Sequence, residues 1–209
     1  MSKQLLFVDG VGGKKYMRGA LIRHFERSGY TVHCFDYLPS TQSIAEIKQN
    51  LTVVLERLAA HGEYDAIAYS FGGVLLRMVL QDMADKNMPP RKLVLLASPL
   101  KAMRLSQRIR DWRTYHWMAG ECGQLVADPK RMAEIPMPAI PTASVYGVWP
   151  WLGALGVFAG FGFDHDGMVT ADEACASEGI TRFPVSASHG FIPSNQDALK
   201  TMQRWFAGD

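Results

Sequence analysis

Short apolar runs alternate with segments of helical periodicity along the first half of the chain. The runs predict four strands, at residues 5–8, 31–35, 66–69 and 92–97. Between them, apolar positions recur at i, i+3 and i+4, as at Ile44, Ile47 and Leu51, which is typical of a helix with one buried face. Strands that alternate with helices of this length predict a parallel sheet with right-handed crossovers.

The periodicity weakens between residues 100 and 141, where four prolines interrupt the second part. We expect this segment to leave the edge of the sheet and form a small cap or lid-like excursion. Residues 142–147 and 180–184 predict a fifth and a sixth strand, and Leu199, Met202 and Phe206 predict a closing helix. A chain of 209 residues is expected to form one domain, here residues 1–209.

Composition and charge exclude some classes of protein. The net charge is only +2 with both signs scattered, so nothing favours nucleic-acid binding. The three cysteines, Cys34, Cys122 and Cys175, lie far apart without metal-ligand spacing, as expected of structural thiols in a reducing compartment. No signal-peptide pattern opens the chain, and glycines and a proline interrupt its longest uncharged apolar stretch. We therefore expect a soluble cytoplasmic protein without a stable membrane span.

The third apolar run ends at Ser70, and a helical pattern begins directly after it. Ala68 and Gly72 flank the serine at two residues' distance, which matches the nucleophile-elbow motif G-x-S-x-G with alanine in place of the first glycine. Small residues are needed there because the serine occupies a strained turn between strand and helix. The alternative interpretation is an ordinary strand-to-helix turn in a buried sheet.

A nucleophilic serine needs a base within hydrogen-bond reach, and the base needs an orienting acid. In serine hydrolases with an elbow the chain order is Ser, acid, His. His189 follows the sixth predicted strand and fits that order, although it could also be an exposed loop histidine. Asp164, Asp166 and Asp172 follow the fifth strand. We favour Asp166 over Asp164 as the acid, and we expect Asp172 in the first turn of a helix.

Backbone N–H groups must stabilise the oxyanion that forms when the serine attacks. Phe71 follows the serine at a helix N-terminus and is expected to supply one of them. The turn after the first strand is expected to supply the other. Val11, between Gly10 and Gly12, is the natural position because glycines allow a close approach of the backbone.

Four segments together carry a resemblance to a known family: residues 5–13, 68–73, 166–169 and 188–190. The chain resembles the α/β-hydrolase superfamily, in particular its small bacterial lipase-like and esterase-like members. The resemblance implies a three-layer sandwich around a mostly parallel six-stranded sheet that lacks the two leading strands. It also implies carboxylic-ester hydrolysis through an acyl-enzyme, without a metal or organic cofactor. Ser70, Asp166 and His189 match its triad, and Val11 and Phe71 match its oxyanion hole.

The sequence departs from the family's pattern beside the first strand, where Asp9-Gly10 stands in place of the common His-Gly. Trp149 and Trp151 lie in an apolar, glycine-rich segment before Asp166. They could line an acyl site, contact a lipid interface, or pack in the core. Trp112, Tyr115, Trp117 and Met118 allow the same interpretations. Both groups favour a small-molecule ester with an apolar acyl or alcohol portion; the sequence does not indicate an oligomeric state.

Three alternative functions follow from the same residues. An acyltransferase, thioesterase or amidase would use the same triad, and the sequence does not separate these from an esterase. A nucleotide-binding oxidoreductase would explain Gly10, Gly12 and Asp36, but the third glycine of its motif falls at Lys15. A non-catalytic binding protein on the same fold would have no need for a serine, an acid and a histidine in this order.

Overall fold

A computed structural model describes residues 3–11, 17–86, 88–149, 158–162 and 164–208. In these ranges six parallel strands form one sheet with the order β2-β1-β3-β4-β5-β6. The strands are β1 (Lys3–Val8), β2 (Tyr30–Phe35), β3 (Tyr64–Tyr69), β4 (Leu93–Leu96), β5 (Thr142–Gly147) and β6 (Thr181–Val185). The predicted parallel six-stranded sheet is confirmed.

Helices cover both faces of this sheet. Within the described ranges, the α-helices of five or more residues are α1 (Gly19–Arg27), α2 (Ile44–Ala60), α3 (Phe71–Asp82), α4 (Arg104–Ile109), α5 (Arg113–Val126), α6 (Pro129–Ala133) and α7 (Gln196–Ala207). In β1, Leu5 and Phe7 pack in a core with α1 and α7, whereas Leu6 and Val8 pack in a second core with α2 and α3. Because alternate strand residues face opposite sides, one continuous apolar run supplies both cores. The predicted three-layer arrangement is thereby confirmed.

The segment between β4 and β5 contains α4, α5 and α6. We expected prolines to break the helical pattern there, but Pro129 occupies the first turn of α6, and the Asp128 carboxylate accepts hydrogen bonds from the N–H groups of Lys130 and Arg131. Proline is tolerated at this position because the first N–H groups of a helix have no intrahelical partner. In the described ranges, no helix combines the length and the apolar character needed to cross a membrane.

A buried carboxylate connects this excursion to the loop after β5. Glu173 lies in a single helical turn, Ala171–Ala174, and is fully buried. It accepts hydrogen bonds from the Arg104 N–H at 2.8 Å and the Thr170 N–H at 2.9 Å. The start of α4 is therefore held against the segment that carries Asp166. The role of residues 100–141 as a cap or lid-like excursion stays a prediction.

Candidate active site

Ser70 occupies the sharp turn between β3 and α3. Its backbone has φ 52° and ψ −125°, a conformation that residues other than glycine rarely adopt. The Ser70 N–H donates to the Leu96 carbonyl at 2.9 Å, and the Ser70 carbonyl accepts from the Gly73 N–H at 3.1 Å. Hydrogen bonds on both sides thus hold the strained turn, which places the serine side chain at the carboxyl end of the sheet.

The turn brings α3 so close to β1 that Gly72 has no room for a side chain. A Cβ atom there would lie 2.4 Å from the Asp9 carbonyl oxygen and 2.5 Å from that of Val8. Ala68, two residues before the serine, places its methyl group in the core that β3 shares with α2 and α3. The structure thus explains why glycine is required after the serine while alanine is accepted before it.

His189 links Ser70 to Asp166. Its Nε2 lies 3.0 Å from Ser70 Oγ, and its Nδ1 lies 2.7 Å from Asp166 Oδ2. The other carboxylate oxygen, Oδ1, accepts from the N–H groups of Met168 at 2.9 Å and Val169 at 2.7 Å. Asp166 is only 2% exposed, so the imidazole faces a carboxylate that is fixed in one orientation. The three residues that the sequence proposed as a triad are brought together.

Asp164, the alternative acid, is exposed, and its backbone carbonyl accepts from the Ala171 N–H at 2.8 Å. Asp172 lies in the helical turn after Thr170, as expected, and its carboxylate pairs with Lys101 and Arg104. The geometry therefore selects Asp166 as the partner of His189.

Tyr69 supports the histidine from the strand side, a role that the sequence did not suggest. Its hydroxyl donates to the His189 carbonyl at 2.9 Å, while the His189 N–H donates to the Asp166 carbonyl at 2.8 Å. Burial raises the pKa of Tyr69, which keeps the hydroxyl protonated as a donor. In the sequence, the only indication of this role is that a residue with a hydroxyl group occupies the last buried position of β3.

Asp9, noted above only as a departure from His-Gly, belongs to an ionic cluster in which Asp9 and Arg18 are buried and Asp36 is exposed. One carboxylate oxygen accepts from the Gly10 N–H at 2.8 Å, and the other accepts from Arg18 Nη1 at 2.9 Å. Arg18 also donates to both carboxylate oxygens of Asp36. Burial raises the pKa of Asp9, although the bonds to Gly10 and Arg18 oppose that shift. The cluster thus anchors the turn that leads to Val11.

Val11 and Phe71, the predicted oxyanion donors, both border the cavity beside Ser70. Within the described ranges, the backbone N–H of neither residue donates to another group. Gly12, which follows Val11, lies outside the described residues. The Phe71 N–H lies at the start of α3 and is suited to bind an oxyanion, because the N-terminal end of a helix dipole is positive.

A cavity of about 240 Å³ lies beside the serine hydroxyl. Its outer wall comes from the excursion and is apolar, with Met103, Leu105, Ile109, Met118, Ala119 and Val126. The polar groups of this wall satisfy each other, since the Tyr115 hydroxyl donates to Ser106 Oγ at 2.8 Å. The inner wall holds Asp9, Arg18, Ser70 and His189. The cavity therefore offers an apolar chamber that leads to the serine, histidine and aspartate.

The predicted aromatic residues are placed differently. Trp149 is 62% exposed and borders a separate depression with Phe191 and Asn195, whereas Trp151 lies outside the described residues. In the excursion, Tyr115 and Met118 line the serine cavity, but Trp112 and Trp117 are exposed. Among the described residues, no three His, Cys, Asp or Glu side chains are grouped as metal ligands.

Comparisons with known proteins rest on structure alone. No protein-family model and no curated protein matches the sequence. A lipase from Bacillus licheniformis, in its mature form, superimposes with a TM-score of 0.75 at 15% identity, over 98% of this chain and 92% of the lipase.

Two further solved structures are similar. A thioesterase of prodiginine biosynthesis from Streptomyces coelicolor has a TM-score of 0.64 at 17% identity, over 97% of this chain and 88% of its own. An α/β-hydrolase enzyme from a sediment metagenome of the Mar Chica lagoon has a TM-score of 0.64 at 11% identity, over 100% of this chain and 92% of its own. Together with the parallel sheet and the strained serine turn, these similarities show that the chain has the α/β-hydrolase fold.

Proposed function

We propose that this protein is a serine hydrolase that cleaves carboxylic esters through an acyl-enzyme on Ser70. The observation that carries the proposal is the continuous hydrogen-bonded chain from Ser70 Oγ through His189 to Asp166. A serine hydroxyl in a strained turn, a base in contact with it and a buried acid behind the base satisfy the geometric requirements for acyl transfer.

In the proposed reaction, His189 Nε2 accepts the hydroxyl proton as Ser70 Oγ attacks the ester carbonyl. Asp166 holds the imidazole orientation and stabilises its cation without taking up the proton itself. The N–H groups of Val11 and Phe71 bind the oxyanion. The alcohol leaves with the proton from His189, and an acyl-enzyme remains. Water, activated by the same histidine, then releases the carboxylic acid.

The apolar chamber supports an apolar substrate portion next to the ester. We expect Ala119→Leu to lower the ratio of kcat/KM for p-nitrophenyl octanoate over p-nitrophenyl acetate about tenfold, since the loss of contact with about two methylenes costs about 0.8 kcal/mol each. Ala119 lines the chamber and is 2% exposed, whereas Ala133 on α6 is exposed and serves for the matched control Ala133→Leu. An unchanged ratio in the Ala119 variant would place the acyl chain elsewhere.

A fluorophosphonate probe followed by mass mapping tests the nucleophile. We expect one adduct on Ser70, because a hydroxyl in contact with a base reacts with such probes. Ser106 lines the same cavity, but its Oγ accepts from Tyr115 rather than contacting a histidine, so its peptide should stay unmodified and serve as an internal control. An unlabelled Ser70 in folded protein, or an adduct on Ser106, would refute the assignment.

A thioesterase is the second candidate. The Streptomyces coelicolor protein with a similar fold is named a thioesterase, and the same serine, histidine and aspartate would attack a thioester carbonyl. An acyltransferase differs only in the acceptor that takes the acyl group from Ser70. Oxygen esters and thioesters with the same acyl chain, each assayed with and without an added alcohol acceptor, separate the three reactions.

A further inference from the structure

Helix α3 carries a second buried polar residue beyond Ser70. Arg77 lies about two turns further along the helix and is 3% exposed. Its Nε donates to the Pro136 carbonyl at 3.2 Å, and its Nη2 donates to the Ile135 carbonyl. Its Nη1 is buried and has no hydrogen-bond partner in the described part of the chain. The guanidinium thus retains unsatisfied donors.

No carboxylate in the described ranges pairs with Arg77. Burial lowers the pKa of its guanidinium to about 10, and no neighbouring charge offsets that effect. A buried cation without a counter-charge is unfavourable, because its desolvation is not repaid by an ion pair. An anion that reaches the guanidinium would form charge-assisted hydrogen bonds with the free N–H groups.

Arg77 also borders a cavity of about 330 Å³. This cavity shares no lining residue with the chamber beside Ser70. Gln81 follows Arg77 by one turn on α3 and lines the cavity too, so a second polar side chain stands beside the arginine. The rest of the wall is apolar and includes Met83, Met88, Pro89, Met137, Pro138 and Ile140.

We propose that this cavity is a binding site for an apolar monocarboxylate, with the carboxylate on Arg77 and Gln81 and the hydrocarbon chain against the methionines and prolines. One unpaired cation is neutralised by one negative charge, whereas a phosphate dianion would leave excess charge among apolar walls. The apolar lining gains free energy from a hydrocarbon chain, which a small inorganic anion lacks. The site is independent of the reaction proposed for Ser70.

Calorimetric titration with octanoate tests this site. Wild-type protein should bind octanoate saturably. Arg77→Met should raise the dissociation constant for octanoate at least about tenfold, because it removes the charge-assisted hydrogen bonds. Octan-1-ol, which has the chain but no charge, should bind wild type at least about tenfold more weakly than octanoate does. Ala119→Leu narrows the chamber beside Ser70 and should leave this octanoate site unchanged, which separates the two cavities.

Arg77→Met also removes the bonds to Ile135 and Pro136 and could prevent folding, so a second variant is needed. Ala139 lines the cavity and is exposed, and Ala139→Phe narrows the cavity without touching those bonds. It should weaken octanoate binding by a similar factor. The proposal fails if wild type shows no saturable binding at millimolar octanoate, or if Ala139→Phe binds octanoate as wild type does. Arg77 would then only fix the Ile135–Pro136 backbone.

Discussion

Ser70→Ala is expected to lower kcat for a p-nitrophenyl ester by as much as about 10⁶-fold, with a residual rate from the oxyanion hole and substrate binding. The serine Oγ is the atom that would form the acyl-enzyme, and alanine removes it while keeping a Cβ in the same strained turn. The melting temperature should therefore stay close to that of wild type. Steady-state kinetics and thermal unfolding of the same preparations measure both quantities.

Ser177 provides a matched control for this experiment. Its Oγ donates to the Glu178 carbonyl at 3.2 Å in a solvent-exposed hydrogen bond, so Ser177→Ala should keep wild-type turnover. Ser70 and His189 act as one unit, so their effects on turnover are not additive. The kcat of the double variant Ser70→Ala/His189→Ala should therefore lie within a few-fold of the kcat of Ser70→Ala. Wild-type-like turnover in Ser70→Ala would move the nucleophile to another residue.

Asp166→Asn is expected to lower kcat about 10⁴-fold, the scale known for the equivalent change in another serine hydrolase. An asparagine amide can donate to Nδ1 of His189, which favours the tautomer with the proton on Nε2. That tautomer cannot accept the proton of Ser70. The substitution keeps the size of the side chain, so the loss should appear in kcat far more than in folding.

Asp164→Asn is the matched control, because it makes the same chemical change two residues away on an exposed side chain. Its kcat should stay within about twofold of wild type, as expected for a surface residue outside the hydrogen-bonded chain. A larger loss in Asp164→Asn than in Asp166→Asn would exchange the roles of the two residues. Parallel kcat and thermal unfolding measurements on both variants distinguish catalysis from stability.

The elements of the fold were predictable from local pattern. Leu5 to Val8 form an uninterrupted apolar run, and such a run in a chain of alternating strands and helices indicates a strand covered on both faces. The turn at Ser70 was predictable as well, because Ala68 and Gly72 are small where strand and helix crowd each other. The order of Ser70, Asp166 and His189 then suggested which strand ends would have to meet.

Which side chains contact the site depends on distances between residues in the folded chain, and spacing along the sequence does not give those distances. Asp164 and Asp166 are two residues apart and chemically identical, and only the folded loop places the carboxylate of Asp166 rather than that of Asp164 against His189. Trp149 resembled a substrate contact by composition, yet it lies beside a separate depression. Side-chain direction in irregular segments follows from packing against distant elements, so periodicity gives no guide to it.

The sequence by itself thus determined the six strands and the strained serine turn, because these depend on neighbours within a few residues, whereas the three layers were implied by the family resemblance. Tertiary structure decided the partners of buried charges. Arg18 pairs with Asp9 and Asp36 beside the ends of β1 and β2, whereas Arg77 donates only to carbonyl groups within the described part of the chain. A buried charge is unfavourable unless a partner of opposite charge or a hydrogen-bonding group lies within a few ångströms. Residues far apart in the sequence come that close only in the folded chain, so sequence spacing does not reveal these pairs.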